Sequence, residues 1–173
     1  MLPFTLRPLT PDDLDALVAL DQDPEVMRYI NGGAPTPRAL YVDLLLPRML
    51  AQATAPGLGF FAVEASDGDF LGWMHLRLDS FEPAWAEIGY RLKRAVWGQG
   101  LATAASRLLM ARAFDALGFQ TVSARTTTDN AASRRVMEKI GLRFDSEFEF
   151  PARTLPGLVI PAARGVLYKA ERG

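Results

Sequence analysis

Glu87-Ile-Gly-Tyr-Arg-Leu92 reads as a strand, Arg94-Ala-Val-Trp-Gly-Gln-Gly-Leu-Ala102 as a glycine turn, and the run after it as a long helix. A strand that passes through such a turn into a helix directs several backbone N–H groups at one spot, with the positive end of the helix dipole behind them. The joint is therefore a cradle for an anion. Taken alone, the turn also fits an ordinary glycine-rich connection. Gly98 and Gly100 suit a cradle because glycine admits positive φ and lets a phosphate oxygen approach the backbone with no Cβ in the way.

The segments around this unit alternate between strands and helices. Phe4 to Arg7 is a short strand, and Thr10-Pro-Asp-Asp13 starts a helix with Leu14, Leu17 and Val18 on one face. Asp23 to Ile30 adds a helical turn, Asn31-Gly-Gly-Ala-Pro35 a loop, and Thr36-Pro37 a second helix start that Pro47 should kink or end. Leu58 to Ala65 and Phe70 to Leu78 flank Ser66-Asp-Gly-Asp69 as a hairpin, and Trp85 to Leu92 is the next strand. Leu101 to Leu117 is apolar nearly all round, which predicts a buried helix stopped by Gly118. Thr121 to Thr126 is a strand, Asn130 to Ile140 a helix ended by Gly141, and Phe144 to Phe150 and Gly165 to Ala170 are the last strands. Pro151 to Arg164, with three prolines, reads as a long loop, a common site of function.

Composition bounds what such a unit belongs to. With 173 residues, 49% hydrophobic and 23% charged, residues 1–173 are expected to form one domain around one core. A net charge of -1 supplies no bulk attraction to nucleic acid or anionic lipid. Without cysteine, and with His75 the only histidine, disulfides and thiolate nucleophiles are excluded and a metal site is disfavoured. The opening residues lack a signal-peptide pattern and no stretch is apolar enough to span a bilayer, so the expectation is a soluble cytoplasmic protein.

Three motifs in order carry a resemblance: Glu87-Ile-Gly-Tyr90, Trp97-Gly-Gln-Gly-Leu-Ala102, and Asp129-Asn-Ala-Ala-Ser-Arg-Arg-Val-Met-Glu-Lys-Ile-Gly-Leu142. Together they resemble the GNAT superfamily of acyl-CoA-dependent N-acetyltransferases. Leu6-Arg-Pro-Leu9 and Asp23-Pro-Glu-Val-Met27 are similar to its RimJ/RimL-like branch. The resemblance implies an α+β fold, a mixed and mostly antiparallel sheet with helices on both faces, and acetyl-CoA as co-substrate. It further implies that backbone amides from Trp97 through Gly98, Gln99, Gly100 and Leu101 to Ala102 hold the coenzyme A pyrophosphate. The strand carrying Ile88, Tyr90 and Leu92 would pair with the pantetheine arm. The family's usual turn has Gln or Arg three residues before the first glycine, where this chain has Ala95 beside Arg94.

The implied chemistry is direct attack of a primary amine on the thioester in a ternary complex. An alkyl amine is mostly protonated at neutral pH, so a base or a water relay must accept its proton. Glu87 is the candidate base acting through a water; the alternative is a solvated strand-end glutamate. His75 shares a strand face with Trp73 and Arg77 and reads as a structural or surface histidine rather than a catalytic one. Asn130 either contacts the cofactor's amides or caps its helix, and Ser133 either hydrogen-bonds near the thioester sulfur or belongs to the helix surface. Many family members place an acidic tyrosine four residues after this serine, but here that residue is Met137. Another donor is then needed, such as Ser133 or water, or the thiolate leaves unassisted.

The tryptophans and Tyr90 read as sheet packing rather than an acceptor pocket. Acceptor recognition is expected from Met27 to Pro35, the strands around His75, and Pro151 to Arg164. Arg7, Arg28, Arg38 and Arg48 would suit an acidic acceptor or simply solubilise the surface. Protein N-termini and small-molecule amines both remain candidate acceptors, and a homodimer is an allowed assembly. A non-catalytic acyl-CoA-binding or sensing protein is the alternative class.

Overall fold

The computed structural model describes residues 3–173. A seven-stranded sheet runs in the order β1 (Phe4–Pro8), β2 (Gly59–Ala65), β3 (Phe70–Leu78), β4 (Ala86–Leu92), β5 (Thr121–Thr127), β9 (Ala163–Glu171) and β6 (Arg143–Phe150). The Asp67-Gly68 turn makes β2 and β3 an antiparallel hairpin, as its residue pair requires. Every neighbouring pair is antiparallel except β4 and β5, which are parallel.

That parallel pair is short. It holds at Ala86 with Val122 and Glu87 with Ser123, although β4 continues to Leu92 and β5 to Thr127. The two strands separate beyond Glu87, and the backbone of β4 from Ile88 onward is paired only on its β3 side. A wedge thus opens in the middle of the sheet.

Helices cover both faces. On one, α1 (Leu14–Leu20), α3 (Arg38–Leu40), α4 (Leu46–Leu50) and the π turn that joins the last two bury Leu17, Leu46 and, from that turn, Tyr41 against Ala62 and Phe70. On the other, α5 (Leu101–Ala111) and α6 (Ala131–Lys139) bury Leu101, Ala105, Leu109 and Met137 against Met74, Leu76, Ile88 and Val122. At about 1.5–3 kcal/mol per fully buried large apolar side chain, these two layers are the main favourable term holding the sheet. Between α1 and α3, α2 (Pro24–Asn31) is capped by Asp23, whose carboxylate accepts the Glu25 N–H at 2.9 Å.

Three expectations need correction. Pro47 neither ends nor simply kinks its helix: a π turn over Tyr41–Leu45 precedes it and α4 continues to Leu50. The wider turn accommodates the donor that proline lacks. The helix after the glycine turn is one-sided rather than buried all round, since Leu108 is 56% exposed, and it finishes in a π turn over Arg112–Ala116. The expected loop from Pro151 to Arg164 holds a second small sheet, β7 (Arg153–Leu155) paired with β8 (Leu158–Ile160). Pro156-Gly157 supplies its turn, with Gly157 at φ 72°. Among the described residues, no helix is long and apolar enough to cross a membrane.

Candidate active site

The glycine turn closes on itself through side chains. The Trp97 indole N–H donates to the Leu92 carbonyl at 2.9 Å, and the Gln99 amide donates to the Ala95 carbonyl at 2.9 Å. Gly98 and Gly100 take φ of 73° and 82°, the left-handed region open to glycine, and a Cβ on either would meet nothing within 4 Å. The space before the turn is therefore free. Gly100 stands at the N-cap of α5, no side chain caps the helix, and its first turn has no acidic residue. The leading N–H groups, which have no intrahelical acceptor, face that space with the positive end of the helix dipole.

A cleft of about 560 Å³ runs from this turn into the wedge between β4 and β5, bounded by α2, α5, α6 and the β7–β8 hairpin. Ile88, Tyr90 and Leu92 line one wall, and Trp97, Gly98 and Gly100 lie at one end with Leu101 and Ala102. Asn130 and Ser133 come from α6. Gln99 is not on the lining, because its side chain turns back onto Ala95. Glu87 is not on it either.

The pleat of β4 explains the position of Glu87, which points to the sheet face opposite Ile88 and Tyr90. Its cross-strand partner is Arg77, whose guanidinium lies 2.6 Å from one carboxylate oxygen, and Arg125 lies 3.4 Å from the other. With its side chain 10% exposed, Glu87 is not the solvated strand-end residue of the alternative reading. Burial pushes its carboxyl above the usual range, and the charges of Arg77 and Arg125 hold that rise in check. Arg125 does line the cleft, and so links Glu87 to it.

Arg125 also pairs with Asp79 at 2.6 Å, and Asp79 accepts the Ser123 hydroxyl at 2.5 Å. Burial alone would raise the Asp79 carboxyl. Bonds from Arg125, Ser123 and the N–H groups of Phe81 and Glu82 outweigh it and hold Asp79 below the ordinary carboxylate range. On the same sheet face His75 packs between Phe60 and Trp73, with ring centroids 5.0 and 6.0 Å away. Neither imidazole nitrogen has a hydrogen-bond partner among the described residues. Burial, with the Arg77 charge behind it, lowers the imidazole to about 3, so it is neutral. The ring lies over Gly89, where a Cβ would come within 2.5 Å of it; glycine in Glu87-Ile-Gly-Tyr90 thus has a packing reason.

On α6, Asn130 is the helix cap, its side-chain oxygen accepting the Ser133 N–H at 3.1 Å. Ser133 Oγ in turn accepts the Tyr90 hydroxyl at 3.3 Å. Met137, one turn further on, is 4% exposed and lines the same cleft. The arginines considered for acceptor recognition do not reach it. Arg7 is held by Asp13 at 2.6 Å, Arg38 by Asp15 at 2.6 Å and Arg28 by Glu25 at 3.7 Å, and neither these nor Arg48 line the cleft.

Sequence reasoning missed Asp79, Arg125, and the pair Arg91 and Asp21. Arg91 grips both Asp21 oxygens at 2.6 and 2.7 Å, and Asp21 also accepts the hydroxyls of Thr36 and Tyr41. This network ties the chain on either side of α2, and hence the wall that α2 forms, to β4. The signal available was an arginine inside each strand, since buried charges need partners.

The family description "Acetyltransferase (GNAT) domain" matches residues 4–143. The chain is 33% identical over 144 residues to the FsC-acetyl coenzyme A-N(2)-transacetylase of Aspergillus fumigatus, covering 79% of this chain. It spans 61% of that relative's length. A probable acetyltransferase of known structure superposes with a TM-score of 0.75 at 26% identity, covering 98% of this chain and 93% of the other. A spermidine N-acetyltransferase from Vibrio cholerae, solved with CoA and spermine, shares the fold with a TM-score of 0.74 at 15% identity, over 97% and 95% of the two chains.

Proposed function

The chain belongs to the GNAT acetyltransferase family, and on that premise we propose that it is an acetyl-CoA-dependent N-acetyltransferase acting on a primary amine by direct attack in a ternary complex. The observation that carries this reading is the uncapped, acid-free N-terminus of α5, which opens into a cleft beside the unpaired stretch of β4. Such an end suits a pyrophosphate, and the free backbone from Ile88 to Leu92 suits the amide-bearing pantetheine arm. Acetyl-CoA supplies the acetyl group activated as a thioester.

The chain's own residues then divide the work. Trp97, Gly98, Gln99, Gly100, Leu101 and Ala102 offer the turn's amides, with Asn130 holding the start of α6. Glu87, reached past Arg125, takes the amine proton through a water. Ser133 faces the sulfur that leaves. Residues 1–173 act as one domain, RimJ/RimL-like in branch and cytoplasmic in location.

Charge on the cleft wall narrows the acceptor. Among the described residues Glu25 is the one carboxylate on the lining; Arg91 and Arg125 there are already paired, with Asp21 and with Asp79 and Glu87, which leaves Arg135, Lys139 and Arg153 as the cations that face the cleft without such a partner. A polyamine meets the wrong sign of charge there. Tyr29, Ile30, Phe150 and Ile160 add an apolar wall. The acceptor is a monoamine with an apolar body, either a small molecule or a protein N-terminus. Nothing in the site favours a non-catalytic acyl-CoA sensor. Calorimetry with coenzyme A tests the reading: saturable binding is expected, and folded protein with no affinity would remove it.

A further inference from the structure

Glu87 stands at the last rung of the parallel pair between β4 and β5, opposite Ser123. Ser123 donates its hydroxyl to Asp79 at 2.5 Å, so the register of that rung sets a second carboxylate close to Glu87. Between the two carboxylates lies Arg125, one terminal nitrogen of which is 2.6 Å from Asp79 and 3.4 Å from Glu87. The guanidinium is thus committed to Asp79 and only grazes Glu87. Asp79 is buried yet stays ionised, because Ser123 and the N–H groups of Phe81 and Glu82 hold its charge together with Arg125. Arg77 of β3 is then the cation that Glu87 holds closely, at 2.6 Å. His75, also of β3, is neutral, and Arg91, further along β4, is closed off by Asp21.

We propose that Asp79 is a positioning residue for the proton-accepting step: by holding Arg125 it keeps that arginine from closing on Glu87, and so keeps the carboxylate able to take the amine proton. This rests on the reading that Glu87 is the base. In that step the amine nitrogen bonds the acetyl carbon, its proton passes through water to a Glu87 oxygen, and the C–S bond breaks with its electron pair on sulfur. Asp79 and Arg125 exchange no proton. A carboxylate facing two guanidinium groups with no counter-ion between them is a weak base. With Arg125 neutralised by Asp79, burial of Glu87 is opposed chiefly by Arg77, and the charge of Asp79 itself favours the protonated carboxyl.

The test is a carbon-13 NMR titration of the Glu87 carboxyl in protein labelled at glutamate, its signal identified by its loss in Glu87→Gln. Asp79→Asn should raise the ionisation constant of Glu87 by about tenfold, the effect of one cation left without its counter-ion. Arg125→Gln should lower it, and the double variant, neutral again at this point, should return toward the wild type. The double variant leaves no lone charge buried there, so its difference from Arg125→Gln decides the matter even where Asp79→Asn does not fold. The acid side of the kcat profile should move with the NMR titration, toward lower pH in Asp79→Asn and higher pH in Arg125→Gln. Wild-type titration of Glu87 in Asp79→Asn would overturn the proposal, as would shifts of the same sign in both single variants, which is what a loosened site would give. Titrations that move as stated beside an unmoved kcat profile would instead remove Glu87 as the base, and the role of Asp79 with it.

Discussion

Arg125 and Glu87 meet at 3.4 Å where β4 and β5 separate, Arg125 on the cleft wall and Glu87 behind it. The proposed base is thereby buried and fixed, yet connected to the cleft by a residue that Asp79 anchors at 2.6 Å. A carboxylate held in this way can take a proton delivered by water without being exposed itself.

Glu87→Gln should therefore lower turnover by about 10²-fold with little change in acetyl-CoA affinity. The deficit should shrink as pH rises and the amine loses its proton unaided. A pH profile of kcat for both proteins checks this; equal turnover at neutral pH would take Glu87 out of the mechanism.

His75 makes stability fall on the acid side of neutrality. Its folded-state pKa of about 3 lies below the ordinary value near 6.5, so its contribution is fully present above 6.5 and is lost progressively as pH falls from there toward 3. Between pH 7 and 5 the loss is about 2 kcal/mol. Urea unfolding of the wild type and His75→Phe at both pH values should show the wild type losing about that much more. Parallel losses would mean that the imidazole is hydrated or bonded.

Replacing Pro151 to Arg164 by a short turn removes the β7–β8 hairpin, which supplies Arg153 and Ile160 to the cleft far along the chain from the glycine turn. Acceptor preference should change more than acetyl-CoA affinity. Comparing KM for several amines with the calorimetric Kd for acetyl-CoA measures this, and a selective loss of cofactor binding would count against the hairpin as an acceptor element.

The parts of the site readable in the sequence are those written in the backbone. Glycines at 98 and 100, an asparagine before α6 and the alternation of β4 are local signals, and each stands where its local chemistry required. Pairings over long separations were not readable. Asp79 with Arg125, Asp21 with Arg91 and Tyr90 with Ser133 are set by strand register and helix docking, which no local pattern encodes. The β7–β8 hairpin was missed because prolines at 151, 156 and 161 look like breakers, yet each lies outside its short strands.

Met137 is buried beside Met74, Ile140 and Leu142 in the same core cluster, so Met137→Leu should keep both stability and turnover nearly unchanged. Met137→Tyr should not raise turnover, because a thiolate is already a fair leaving group near neutral pH and a phenol overfills the site. Steady-state rates and thermal melts check both, and a large gain for Met137→Tyr without a change in acceptor affinity would show thiolate departure to be limiting.

Release of free thiol from acetyl-CoA, followed with and without a panel of monoamines and peptides, tests the central claim most directly. Wild-type protein should release thiol only when an amine is present and form the N-acetyl product in equal amount. Gly100→Glu should release none while remaining folded, since a carboxylate at the mouth of α5 repels the pyrophosphate and the added Cβ meets no protein atom within 4 Å. Its positive φ costs only about 1 kcal/mol of stability. Saturable acetyl-CoA binding by the wild type with no amine-dependent thiol release across the whole panel would contradict the account.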